Sequence, residues 1–127
     1  MNPNSRNIAV LITLWVSRAL VCGIFLLWGA FFIEHTSEWF VTPFPHLPPL
    51  KVCLFQALHL LLLLGLLASL RWSRVGLIWV TVAACAFFLP IAGVRALAFV
   101  GITILPVLLL TGCDWLKRTG KPRMRTI

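Results

Sequence analysis

WGAFFIEHTSEWFVTPFPHLPP, residues 28–49, contains two of the protein's three acidic residues, two of its three histidines and four of its eight prolines. Mostly apolar sequence flanks it on both sides. The stretch reads as the outer end of a first membrane-spanning helix, followed by a structured, Pro-rich joint to a second. That reading sets the class of the whole chain: long apolar helices separated by short polar punctuation.

Composition agrees. The chain has 127 residues, of which 61% are hydrophobic and 11% charged, and its mean hydropathy is +1.01. Soluble domains run at about 45–50% apolar and about 25% charged. A small soluble domain leaves a large share of its surface in water, so so much apolar surface calls for lipid as the solvent.

The net charge of +8 does not point to nucleic acid. Five of the eleven basic residues fall in the last eleven positions, as Lys117, Arg118, Lys121, Arg123 and Arg125. They directly follow an apolar segment, and no nucleic-acid-binding motif accompanies them. A juxtamembrane basic cluster marks topology and attracts anionic headgroups.

In chain order, the pattern predicts four spans, at about 8–33, 50–70, 75–93 and 96–112, in one domain covering residues 1–127. Arg71-Trp72-Ser73-Arg74 reads as a tight connection, Arg95 as the cap of another, and Pro106 as a bend in the last span. The first apolar run exceeds the roughly 7–15 residues of a signal peptide core and continues through bulky Trp28, Phe31 and Phe32, so it is expected to remain in the mature protein. Leu110-Thr111-Gly112-Cys113 mimics a lipoprotein cleavage box at the wrong end of the chain.

With the N-terminus inside, Arg6, Arg71, Arg74 and the five tail residues lie on the cytoplasmic side, against Lys51 and Arg95 outside. This asymmetry predicts both termini in the cytoplasm of a bacterial inner membrane. Trp72 and Trp115 on the inner side and Trp39 on the outer match interfacial belts. The fold expected is an all-α, up-down-up-down four-helix bundle. Internal repetition is weak, because Pro106 alone offers the kind of broken span that repeat transporters pair.

Glu34, His35 and Glu38 are the first candidates for chemistry. On a continuing helix Glu34 and Glu38 stand four apart and His35 and Glu38 three apart, so they can share a face. Two carboxylates and an imidazole suit a divalent metal or proton exchange, with His46 or His59 completing the set. A helix end reaching the headgroups, anchored by Trp39 and Phe40, accounts for the same residues without a ligand. Di-iron spacing and HExxH are absent.

Within the spans, Gln56 and His59 form with Cys53 a polar stripe expected to face the bundle. Interhelical hydrogen bonds explain it, and a haem, chlorin or quinone contact is the alternative. Arg18 shares a face with Cys22, Gly29 and Thr36 and lies nearly opposite Glu34 and Glu38. It either snorkels to the cytoplasmic surface or meets an anionic group inside. The four cysteines, Cys22, Cys53, Cys85 and Cys113, form no CxxC pair and read as small apolar residues.

The WGAFFIEHTSEWF run and the PPLKVCLFQALHL segment after it resemble a group of small bacterial four-helix membrane proteins of unknown function. In that group an EHxxEWF-like helix end precedes a Pro-rich turn and a second helix carrying histidine. Ser17-Arg18-Ala19-Leu20, Gly23 and Trp28-Gly29 are similar to the DoxX-like four-helix family, which lacks the Glu-His-x-x-Glu end. The first resemblance implies a fold and no activity.

No nucleophile-base set, phosphate loop or dinucleotide fingerprint is present. The expected function is that of a non-catalytic structural or accessory membrane subunit, in contact with lipid and with other membrane subunits or copies of itself. A metal- or redox-linked protein using Glu34, His35, Glu38 and His59 is the alternative. A small transporter lined by Arg18 and His59 is the third.

Overall fold

The computed structural model describes residues 3–41 and 48–119, and these are helical almost throughout, with no strand among them. Helix α1 covers Pro3–Thr36 and runs on as a π-helical turn, Ser37–Val41. Helix α2 covers Leu50–Arg71, α3 Ser73–Ala92 and α4 Ala96–Thr119, with a 3₁₀ turn at Gly93–Arg95 between the last two. Three helical stretches are long and apolar enough to cross a membrane: Asn7–Val41, Leu50–Arg71, and Ser73–Thr119 taken through the 3₁₀ turn.

Several boundaries differ from the sequence expectation. The first helix passes the expected limit at residue 33 and carries Glu34 and His35 on its last turn. The expected four-residue joint at Arg71–Arg74 shrinks to one non-helical residue, Trp72, at φ −125° and ψ 78°. Its N–H donates to Ala68 O and its carbonyl accepts from Gly76 N–H, both at 2.8 Å, so Trp72 closes the last turn of α2 and opens the first turn of α3. The last helix continues through buried Pro106 to Thr119, placing Lys117 and Arg118 on a helix rather than in a tail. The Pro43–Pro45 joint, His46, and Lys121, Arg123 and Arg125 lie outside the described residues.

The chain reverses tightly at Gly93. With φ +54° it occupies the left-handed region, which glycine enters without a Cβ penalty. Its N–H closes on Leu89 O at the end of α3.

Helix α1 packs on α2 and α4, α2 on α3, and α3 on α4. Side-chain pairs define the directions. Ser73, at the start of α3, donates from Oγ to Asp114 Oδ2 near the end of α4 at 2.7 Å. Phe88, late in α3, stacks on Phe99, early in α4, with centroids 5.7 Å apart. Gln56, early in α2, bonds to Phe32 O, late in α1. Successive helices therefore run antiparallel.

One core cluster draws on every helix: Val21 from α1, Leu62 and Leu66 from α2, Val80, Ala84 and Phe88 from α3, and Ala96 and Val107 from α4. A second joins Leu14 of α1 to Leu110 and Cys113 of α4. Outward positions are also apolar, among them Leu26, Ile33, Ile78, Val82 and Leu97. Hydroxyl groups inside the helices are satisfied locally: Ser17 Oγ donates to Thr13 O, and Thr81, Thr103 and Thr111 each donate to the carbonyl four residues earlier.

Candidate functional site

His59 is a buried titratable side chain of α2, at 3% exposure. Helical spacing sets it one turn beyond Gln56, whose Nε2 donates to Phe32 O at 3.1 Å and to Thr36 Oγ1. These bonds hold α2 against α1 and bring His59 level with the aromatic end of α1. The Phe87 ring centroid lies 4.8 Å from that of His59, Phe32 5.4 Å and Trp28 6.4 Å. Phe32 meets the imidazole nearly edge to face, at 89°. The histidine thus stands in a cage contributed by α1 and α3.

A second layer fixes the cage. Trp28 packs on Phe88 at 4.9 Å, and Phe88 stacks on Phe99 of α4. Trp28 Nε1 donates to Thr103 Oγ1 at 3.1 Å, so its indole N–H is satisfied by α4 while its ring faces His59. His59 Nε2, in contrast, is buried with no hydrogen-bond partner. Such a nitrogen costs about 1–3 kcal/mol of desolvation. Chemically, the site offers one imidazole nitrogen in apolar walls, able to take one hydrogen bond or act as a single ligand.

The structure does not gather the residues considered as metal ligands. Glu34, His35 and Glu38 are all exposed, whereas His59 is buried in the cage. His35 Nδ1 donates to Phe31 O at 2.9 Å, so that ring is turned back on its own helix. The backbone also passes from α-helix to the π turn between Glu34 and Glu38, which alters the four-residue spacing on which their shared face depended. Among the described residues no three His, Cys, Asp or Glu side chains lie together in a way that could hold a metal ion.

Arg18 is half-buried on α1, with its Nε buried and unpartnered. Its guanidinium carbon lies 5.7 Å from the centroid of the Trp15 ring. Trp15 is three residues nearer the N-terminus, so the side chain reaches back along the helix in the direction its Cα–Cβ bond favours. Ten residues separate Arg18 from Trp28, about 15 Å of helix, and the structure does not bring Arg18 to His59. The four cysteines are free thiols, one on each helix.

Sequence reasoning found Gln56 and His59 as an inward stripe but missed Trp28, Thr103 and the Ser73–Asp114 pair. Trp28 was legible only as a bulky residue near a helix end. Asp114, as the one acid near the basic tail, was a signal that a local partner exists. Comparison with protein families, characterised proteins and solved structures returns no match.

Proposed function

We propose that the chain is a four-span protein of the bacterial cytoplasmic membrane, with both termini inside, serving as a non-catalytic accessory subunit. The observation that carries this reading is the sorting of charge by helix direction. Ser73–Asp114 contact sets Arg71 and Arg74 at the same end as Lys117 and Arg118. Glu34, His35, Glu38, Lys51 and Arg95 fall at the opposite end, with apolar residues facing outward between. Basic residues concentrate on the cytoplasmic side of membrane proteins, which orients the bundle.

Antiparallel packing of α3 on α4 favours two spans over one long helix in Ser73–Thr119. Each of α2, α3 and α4 has at least the roughly 20 residues that a crossing needs. The short joints at Trp72 and Gly93–Arg95 and the apolar exterior support an accessory role. The resemblance to small four-helix membrane proteins points the same way.

Reporter fusions after Thr119, Trp72 and Val94 test the topology: the first two are expected to report cytoplasm and the third the outer side. Purification in mild detergent followed by native mass spectrometry tests the role. A defined homo-oligomer or co-purifying membrane partner is expected, and a lone protomer in every mild detergent overturns the accessory assignment.

The buried Nε2 of His59 favours a second reading, in which the cage serves a redox group or a transported solute. Stoichiometric metal or a visible chromophore in the purified protein supports it. Proteoliposome flux unchanged by His59→Ala and Arg18→Ala counts against the transport form.

A further inference from the structure

A groove of about 510 Å³ runs along the outer face of α2 and α3, lined entirely by apolar residues, among them Leu58 and Leu61 of α2 and Val75, Trp79, Val82 and Ala86 of α3. Its shape comes from small residues at the helix contact. A Cβ on Gly65 would come within 2.9 Å of Trp79 Cδ1, so the indole lies directly against the α2 backbone. Ala83 and Ala86 leave the space above it unfilled.

We propose that this groove holds one acyl chain of an anionic phospholipid, belonging to the leaflet at the arginine end of the molecule. The proposal rests on the membrane topology given above. Two observations select this occupant. From Val75 to Ala86 the groove covers about 17 Å of helix at 1.5 Å per residue. One leaflet contributes about half of the roughly 30 Å hydrocarbon core, so the groove has the depth of a single leaflet.

The groove also opens at the right level. Val75, at its end, directly follows Arg74, and Arg71 lies three residues before that; both arginines are exposed. Their positive charge complements a lipid phosphate. The acyl chain would be held by contact with Trp79 and Val82, and the headgroup by Arg71 and Arg74.

The full chain in nanodiscs or mild detergent, exposed to dioleoyl phosphatidylglycerol or dioleoyl phosphatidylcholine and read by native mass spectrometry, tests this. The wild type is expected to retain one phosphatidylglycerol in preference to phosphatidylcholine. Arg71→Gln combined with Arg74→Gln is expected to reduce that preference roughly thirty-fold. Ala86→Trp, which fills the groove from its exposed side, is expected to lose retention of both lipids while keeping its helical circular dichroism.

Equal retention of the two lipids by the wild type, or unchanged retention by a folded Ala86→Trp, overturns the proposal. So does a wild-type dimer that Ala86→Trp converts to monomer, because the groove is then a helix-docking surface. Should Ala86→Trp fail to fold, the arginine pair decides. Failure of the chain to float with vesicles removes the membrane topology itself, whereas flotation without lipid selectivity removes only the lipid site.

Discussion

Gly76 of α3 sits against the backbone of Ser69 on α2, so closely that a Cβ built on the glycine would overlap the Ser69 Cα. Ser69 is itself fully buried and donates from Oγ to Leu66 O at 2.6 Å, which leaves its position fixed by its own helix. Because backbone rather than a flexible side chain would be hit, Gly76→Ala is expected to destabilise the protein by about 2–3 kcal/mol or more, near the upper end of overpacking costs. Gly101→Ala is the control, since a Cβ there meets nothing within 4 Å. Unfolding midpoints in detergent should fall for the first and hold or rise for the second.

Ser73 and Asp114 tie the start of α3 to the end of α4, with Thr111 Oγ1 adding a bond to Ser73 O at 3.1 Å. Hydrogen bonds to charged acceptors contribute about 1.5–3 kcal/mol. Asp114→Ala and Ser73→Ala should each destabilise, and the double variant should lose less than their sum by about 1 kcal/mol or more. Additive losses in a double-mutant cycle would show that the pair does not interact in solution.

His59→Phe tests whether the cage is purely structural. Phenylalanine keeps an aromatic ring between Phe32 and Phe87 and removes the unpartnered Nε2. The substitution should raise stability by about 1 kcal/mol, by relieving a buried unsatisfied nitrogen. His59→Ala should lower it by about 2–4 kcal/mol through the cavity left behind. A loss with phenylalanine larger than that of the ring's one hydrogen bond to the Trp28 backbone would mean that Nε2 also has a bonding partner in the working protein.

The Trp28–Thr103 bond joins α1 to α4 across the aromatic layer. Thr103→Val preserves the branched shape and removes the acceptor, so the expected cost is about 0.6–1.7 kcal/mol, the range of interhelical hydrogen bonds between membrane helices. Trp28 emission should shift relative to the wild type when the indole N–H loses its partner. An unchanged spectrum and midpoint would assign Trp28 to packing alone.

The all-helical character and the long apolar helices were legible because they depend on local runs of residues, such as Leu60–Leu64 and Leu97–Leu110. Joint lengths were less so. Four polar or interfacial residues at Arg71–Arg74 suggested a loop, but three are compatible with helix and only Trp72 breaks it. The stripe of Gln56 and His59 was readable from spacing within one helix. The cage was not, since Trp28, Phe32 and Phe87 are brought to it by two other helices, and no pattern within a single segment encodes their meeting. The same holds for Gly76, whose value lies in what stands opposite it.

The single-residue joint at Trp72 also has a mechanical consequence. One extended residue reaches at most about 3.6 Å, while sliding a helix past its neighbour by a turn takes about 5.4 Å. With Gly76 locked against Ser69 just beyond the joint, α2 and α3 have no slack to ratchet along each other. Any rearrangement of the molecule must carry the two as one stiff lever, with its freedom left to how that lever tilts against α1 and α4.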